Sequence, residues 1–216
     1  MITAVTIFFI ANSICNSAPL ELKDNDSKTS IGSNIGTFAF ALPAVAILVN
    51  NHEIGHTLFA KVLGDRKAHY SLLDAETFVD TTKLTKFGNT LLPLGGVLFS
   101  ELLAEGYDQI NRYIEMPDWL HRLLAVGYLV TKLDIGLQTY QILGKHETNT
   151  FDGTAGSRPD FVEFTFYISN GNKKYLTLSQ IGFCSIFALD VALSIEKFRR
   201  NWEIAIGKMK YSNRSE

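Results

Sequence analysis

The sequence predicts a mainly α-helical membrane protein, a multi-helix bundle of about four core helices with two small β-hairpins. Three observations lead to this prediction. Of the 216 residues, 46% are hydrophobic, only 19% are charged, and four apolar stretches of helical length recur along the chain. A soluble domain usually carries roughly 25% charged residues, so the deficit favours a membrane protein. The same apolar content excludes a disordered chain.

The N-terminal residues divide into an apolar part and a polar part. Residues 1–18 have a short apolar core followed by small residues, which is typical of a secretory signal peptide. An N-terminal apolar helix is the alternative. Residues 19–36 are rich in Ser, Asp, Asn, Lys and Gly, so they are predicted to form a polar linker.

The four apolar stretches are the predicted core helices of a membrane domain over 37–200. The first is long enough to cross a bilayer, which needs about 20 residues. Ionisable residues interrupt the other three, so we expect these helices to pack on partners with their charges turned inward. Four buried helices of a soluble α-rich protein are the alternative. The stretches are 37–60, 87–104, 119–143 and 176–195.

The two predicted hairpins lie between the helices. Short strands around a turn are expected within residues 68–80. In the second hairpin, aromatic and polar residues alternate over 161–168, Asn170 and Gly171 form the turn, and 174–178 returns. Residues 201–216 are predicted to form a polar tail.

The net charge and the cysteine content exclude several classes of protein. The net charge is −2 and the isoelectric point is about 6.2, so there is no basic excess for binding nucleic acid. Two cysteines, Cys15 and Cys184, are too few for a disulfide scaffold or a cysteine-rich zinc module.

One sequence motif indicates a catalytic metal site. The run His52-Glu53-Ile54-Gly55-His56 is an HExxH sequence within an apolar stretch. Positions i and i+4 of a helix share one face, so both imidazoles can bind one Zn²⁺ ion. Glu53 is the predicted general base, because its carboxylate can reach a water molecule at the metal. A catalytic zinc site needs a third protein ligand, which the motif itself does not supply.

The HExxH motif and two later segments make the sequence resemble the site-2 protease family of intramembrane zinc metalloproteases. The resemblance runs from about residue 44 to 136. It rests on His52–Ala60, on Gly96–Ala104, which is similar to the family's Gly-Pro-x-x-Asn segment, and on Leu133–Gly136, which is similar to its Leu-Asp-Gly motif. The resemblance implies that Asp134 is the third zinc ligand. An unpaired carboxylate in an apolar helix is costly, and a zinc ion would remove that cost.

Other third ligands stay open at this point. Glu76 lies 20 residues after His56 and four before Asp80, a spacing similar to that of soluble gluzincin peptidases. Glu101 and Glu105 lie on a predicted helix and are also available. For Asp134 itself, the alternative is an ion pair with Lys132 or Arg122 in a polar groove.

Together these features predict an enzyme, a zinc metalloprotease that hydrolyses peptide bonds within or at a membrane. We expect an integral membrane protein that reaches the membrane through the secretory pathway. We expect its substrate to be a protein or a peptide, a class that includes transmembrane helices. Two alternatives remain: a soluble or exported gluzincin-type peptidase, and a non-catalytic membrane protein that retains a metal site.

Overall fold

The structure, a computed structural model, describes residue 20 and residues 22–24, 31–144, 159–169 and 172–211. The predicted signal peptide or N-terminal helix, residues 1–18, lies outside this part of the chain. Six α-helices occur within the described residues, and four of them have 20 residues or more. In chain order the elements are β1 (Leu22–Asp24), α1 (Ile31–Leu63), β2 (His69–Ser71), β3 (Glu76–Phe78), α2 (Lys86–Leu91), α3 (Leu94–Tyr113), α4 (Asp118–Leu143), α5 (Asp160–Ser169), α6 (Lys173–Ala205) and β4 (Met209–Tyr211).

The prediction of a mainly α-helical protein is confirmed. The apolar stretches 37–60, 119–143 and 176–195 lie inside α1, α4 and α6. The stretch 87–104 is divided between α2 and α3 at Pro93, because proline has no N–H for the helical hydrogen-bond ladder.

The first predicted hairpin is also confirmed. Strands β2 and β3 pair antiparallel, with Tyr70 opposite Thr77. Gly64 follows the last residue of α1 with a φ of 131°, in the left-handed region that a side chain would disfavour, and so turns the chain towards β2.

The second predicted hairpin is wrong, because residues 160–169 and 173–205 are helices. The buried residues Phe161, Thr165 and Ser169 recur every four positions, which is a helical face. The side chain of Asn172 accepts a hydrogen bond from the Lys174 N–H at 3.0 Å and caps α6. Stacking of Phe161 on Phe183 at 3.8 Å shows that packing overrides the strand preference of the aromatic residues.

Parts of the expected linker and tail belong to regular elements. Helix α1 begins at Ile31, within residues 19–36, and β1 pairs antiparallel with β4, so that Leu22 lies opposite Tyr211. Because the two strands are far apart in the sequence, no local sequence pattern predicts that they pair.

The chain forms two compact units. The terminal unit takes its described residues from 20–45, 103–130 and 196–211, and its core contains Ala104, Tyr128, Leu129, Ile204 and Tyr211. The motif unit comprises Ala46–Leu102 and the described residues of Thr131–Ile195. Its core is built on Val97, Ile135, Ile142, Phe161, Val162, Leu176 and Phe183.

Among the described residues, one helix is long and apolar enough to cross a membrane. This helix is Lys174–Ala205, and only 17% of its most apolar 18-residue segment is buried. The predicted bundle of several membrane-crossing helices therefore stays a prediction. Large apolar side chains are also exposed on the other long helices of the motif unit, including Val49, Leu58, Val62, Leu98, Leu102, Leu133 and Leu137.

Candidate metal centre

The two histidines of the HExxH motif lie one turn apart on α1 and face the same point. Their Nε2 atoms are 3.2 Å apart, and the rings meet edge to face with centroids 4.9 Å apart. This is the arrangement that the i and i+4 spacing predicts for a helix. Both side chains are largely buried, with 14% of each exposed.

Three glycines let α1 and α3 approach each other closely at this point. A Cβ atom on Gly96 would lie less than 3 Å from ring atoms of His52, and one on Gly95 would lie 2.7 Å from the Cβ of Phe59. A Cβ atom on Gly55 would lie 2.6 Å from the Gly95 carbonyl oxygen. Small residues at helix contacts allow such close packing. The segment that resembles the family's second motif therefore makes room for the His52 imidazole.

The second nitrogen of each imidazole is held by an acceptor. His56 Nδ1 donates to the Leu92 carbonyl oxygen at 3.1 Å, next to the Pro93 break between α2 and α3. His52 Nδ1 donates to Asp134 Oδ2 at 2.7 Å. Because a carbonyl and a carboxylate only accept, both Nδ1 atoms carry a proton, and in a neutral imidazole the Nε2 atom then presents a lone pair. Metal-binding histidines are oriented in this way.

Asp160 completes the group, although the sequence did not single it out. It is the first residue of α5 and is 7% exposed. Its Oδ2 lies 2.8 Å from His52 Nε2, in a direction unsuited to a hydrogen bond, and its Oδ1 lies 3.3 Å from His56 Nε2. The signal that could have found it is Pro159-Asp160 before an apolar run, which is typical of a helix N-terminus. The interpretation of 161–168 as a strand concealed that signal.

The three donors fit a zinc ion. A tetrahedral zinc ion with ligands at about 2.0–2.1 Å holds neighbouring ligand atoms about 3.3 Å apart. The two Nε2 atoms are 3.2 Å apart, and each has a different Asp160 oxygen near it, at 2.8 Å from His52 and 3.3 Å from His56, so the separations are close to that value. When both imidazoles are neutral, their two lone pairs and the carboxylate repel one another at this distance unless a proton or a metal ion lies among them. Within the described residues, His52, His56 and Asp160 form the group that can hold a metal ion.

The four residues considered from the sequence as the third ligand are not part of this group of donors. Asp134 is in the site, but it contacts the Nδ1 atom of His52 and not the converging Nε2 atoms, so its assignment as a zinc ligand stays a prediction. Glu76 is an exposed residue of strand β3. Glu101 pairs with Lys132, and Glu105 pairs with Lys197 at 2.5 Å.

The position of Glu53 is fixed through its backbone. Its carbonyl oxygen accepts hydrogen bonds from the hydroxyls of Thr57 and Thr77, and these hydroxyls lie 3.0 Å from each other. Strand β3 is thereby attached to the turn of α1 that carries the motif. Glu53 is a half-buried residue, and the role of its carboxylate as general base stays a prediction.

A second cluster secures the chain on both sides of the hairpin. Asp65 accepts from the Asp80 N–H at 2.8 Å, and Lys83 lies 2.9 Å from the Asp80 carboxylate. The hydrogen bond from the Thr82 hydroxyl and then the pairing with Lys83 lower the pKa of Asp80 to about 2. These groups stay ionised at neutral pH and hold the hairpin against the end of α1.

A buried ion group links three helices of the motif unit. Lys132 of α4, with 6% of its side chain exposed, pairs with Glu101 of α3 and lies 2.6 Å from Asp190 of α6. Ser194 also donates to Asp190 at 3.3 Å. Because Lys132 and Asp134 are two residues apart on α4, the ion group fixes the helix that presents Asp134 to His52.

Comparison of the chain with protein-family models, with curated proteins and with solved structures gives no match. The resemblance to the site-2 protease family therefore rests on the sequence motifs alone, and what it implies remains an expectation.

Proposed function

We propose that the protein binds Zn²⁺ through His52, His56 and Asp160 and hydrolyses peptide bonds within or at a membrane. The observation that carries this proposal is the convergence of three donor atoms on a helix turn where a glutamate directly follows the first histidine. Two histidines and one carboxylate, with a fourth position left for water, are a ligand set typical of zinc peptidases.

Each neighbouring residue has a task in this proposal. Asp134 and the Leu92 carbonyl hold the two imidazoles by their Nδ1 atoms, so that both Nε2 atoms point to the metal. Zinc, when bound, acts as a Lewis acid and lowers the pKa of water towards about 7. Glu53 accepts a proton from the attacking water and passes it to the leaving amine nitrogen.

Exposed apolar surface supports the membrane location. Leu133 and Leu137 of α4 and Leu189 and Leu193 of α6 have between 54% and 72% of their surface exposed. Large apolar side chains exposed in this number favour contact with lipid or with a partner. The ion group of Lys132 is turned inward, as ionisable residues are in membrane helices.

The proposal is tested by comparing the native chain with its Glu53→Gln variant. Both proteins are purified in detergent, analysed for bound zinc by mass spectrometry, and incubated with a peptide library whose products are sequenced. We expect about one zinc ion per chain in both proteins, because the substitution leaves the ligands in place. Cleavage should fall by roughly 10²–10⁴-fold in the variant, since a positioned acid–base group contributes this much.

The outcomes separate the alternatives. Zinc in both proteins with no cleavage by either would favour a non-catalytic metal protein. Release of the native chain from membranes by carbonate, without detergent, would favour a soluble peptidase. Equal cleavage by both proteins would reject Glu53 as the base.

A further inference from the structure

The hairpin of β2 and β3 turns one of its two faces towards α1. Tyr70 and Thr77 lie directly opposite each other in the register, so their side chains leave the same face of the hairpin, and both residues are half-buried. The neighbouring pair, His69 and Phe78, leaves the other face. Both of these residues are exposed, and their rings stack with centroids 5.2 Å apart. The face that carries the two hydroxyl groups is therefore the one that packs on α1.

The two hydroxyl groups reach α1 one turn apart. The Tyr70 hydroxyl donates to Asn50 Oδ1, and Asn50 Nδ2 donates to the Ala46 carbonyl oxygen at 2.6 Å, which fixes the orientation of the amide. The Thr77 hydroxyl donates to the carbonyl oxygen of Glu53. Asn50 and Glu53 are spaced i and i+3, so they share a face of α1. Both contacts of the hairpin thus fall on the turn of α1 that carries Glu53.

These contacts exceed what the hairpin and the helix need in order to fold. Within α1, the Glu53 carbonyl oxygen already accepts the helical hydrogen bond from the N–H four residues further on. The hairpin is held by its own pairing and by the contacts of Asp80 with Asp65 and Lys83 at its base. Added hydrogen bonds to a helix carbonyl alter the local course of the helix. The hairpin therefore restrains the turn of α1 at Glu53.

We infer that Tyr70 and Thr77 are positioning residues for Glu53. They hold the turn of α1 so that the Glu53 carboxylate is kept within reach of the attacking water, and they bind neither the metal nor the substrate. This inference rests on the proposed function and adds the residues that keep its general base in place. A misplacement of about 1 Å can cost about 100-fold in rate, so the loss of such restraint is measurable.

Three substitutions test this role. Thr77→Val keeps the shape and lacks the hydroxyl, Thr77→Ser keeps the hydroxyl, and Tyr70→Phe removes only the phenolic oxygen. Each is made in the native chain and in the Glu53→Gln chain, and the proteins are loaded with zinc in detergent. Thr90→Val is the matched control for threonine, because its hydroxyl bonds a carbonyl of α2, away from Glu53. Tyr140→Phe is the control for tyrosine, because Tyr140 is 74% exposed.

Two quantities are measured for each protein, together with zinc content and melting temperature. The first is the turnover of a cleaved peptide, separated into kcat and KM. The second is the Kd of acetohydroxamic acid, measured by titration calorimetry, which needs no turnover. A hydroxamic acid binds zinc through its two oxygen atoms, and a carboxylate beside the metal can take up the proton that it releases. Its Kd therefore reports whether the Glu53 carboxylate is in place.

The effects are expected to depend on Glu53. Thr77→Val should lower kcat by about 10–100-fold and leave KM, zinc content and melting temperature nearly unchanged. Tyr70→Phe should lower kcat less, because it releases a side chain of α1 and not the backbone. Hydroxamate binding should weaken by about two- to tenfold in both variants, and Thr77→Ser should behave like the native chain. In the Glu53→Gln chain, none of these substitutions should change the Kd by more than about twofold.

The outcomes distinguish this inference from the proposed function. If the native chain cleaves peptides but Thr77→Val and Tyr70→Phe change neither kcat nor hydroxamate binding, the inference is overturned and the function stands. If Thr77→Val acts equally in the native and Glu53→Gln chains, or removes zinc, its role is structural and the inference is also overturned. If the native chain cleaves nothing but the Kd depends on Thr77 only when Glu53 is present, the positioning role stands and the function fails. A native chain that takes up no zinc overturns both.

Discussion

Both units contain a buried polar cluster built around a histidine, but the two clusters differ in what they leave unpaired. In the terminal unit, His121 Nδ1 donates to Asn111 Oδ1 at 2.6 Å, and Arg200 donates to both carboxylate oxygens of Asp108. That cluster is neutral, and its carboxylate is occupied by donors of the chain. In the motif unit, the Nε2 atoms of His52 and His56 and the Asp160 carboxylate converge on one point, and Asp160 Oδ2 accepts no hydrogen bond from the described residues.

The difference separates a structural cluster from a binding site. A buried charge that is paired and hydrogen-bonded stabilises the fold or is tolerated by it. Acceptors that converge on one point repel one another unless a proton or a metal ion lies among them, and two histidines with a carboxylate in this arrangement form a candidate metal site. Burial alone does not distinguish the two, because His121 and the motif histidines are all largely removed from water.

The largest effect is expected for Asp160→Asn. This substitution removes the charged donor of the metal group, so zinc affinity should fall by more than about 100-fold, beyond the loss usual for residues that merely orient a ligand. Zinc content and chelator competition measure the effect. Glu76→Gln is the matched control, since Glu76 is exposed on β3. Loss of zinc in the Glu76 variant with retention in the Asp160 variant would support the gluzincin alternative.

Asp108→Asn in the terminal unit is expected to lower the free energy of unfolding and to leave zinc affinity unchanged. Arg200 would lose its counter-charge, and breaking such a buried pair costs about 3 kcal/mol or somewhat less, because Arg200 is partly exposed. Denaturant unfolding should show the loss of stability, while zinc affinity in the folded protein stays normal. A parallel loss of zinc affinity would contradict the distinction drawn between the two clusters.

A smaller effect on zinc is expected for Asp134→Asn. Asparagine retains an oxygen that can accept from His52 Nδ1, but it loses the charge that strengthens the imidazole as a ligand. Zinc affinity should fall by about 10–100-fold, as it does for residues that orient a metal ligand. If Asp134 is itself the third ligand, this variant will lose zinc as completely as Asp160→Asn is expected to. Measuring both proteins side by side decides between the two carboxylates.

The smallest effect is expected for Gly96→Ala. The added methyl group would overlap the His52 ring, so the ring or α3 must shift, at a cost of about 1–3 kcal/mol in stability. Gly106→Ala on the same helix is the control, because a Cβ there meets no atom within 4 Å and alanine favours the helix. Equal melting temperatures for the two variants would show that the close approach of α1 and α3 is not required.

The sequence predicts those parts of the molecule that have a local cause. The four apolar stretches, the hairpin within residues 68–80 and the shared face of His52 and His56 all follow from periodicity and turn chemistry. Asp160 could not be predicted in the same way, because its role depends on α5 reaching the HExxH turn from more than 100 residues away. The alternation of aromatic residues after Phe161 fits a strand and a helix equally, and only packing against Phe183 selects the helix.

The family resemblance led to Asp134 by order and spacing along the chain. It identified a carboxylate that lies in the site, and the structure places that carboxylate behind His52. Spacing cannot tell the two nitrogens of an imidazole apart. Which side of the ring a carboxylate reaches depends on the rotation of α4, and this rotation follows from contacts such as that of Lys132 with Asp190.

In the proposed membrane location, the ion pair between Lys132 and Asp190 also indicates how deep the metal group lies. Residues 175–195 of α6 contain a single charged residue, Asp190, and span about 31 Å, close to the thickness of a bilayer's hydrocarbon layer. In a bilayer that covers them, Asp190 lies about 7 Å beneath the lipid–water boundary at the end where charges resume with Glu196. Lys132 brings Asp134 to nearly the same level. Under the proposed function, the metal group would then lie within about 10 Å of water, so that the water consumed in hydrolysis could arrive without crossing the membrane.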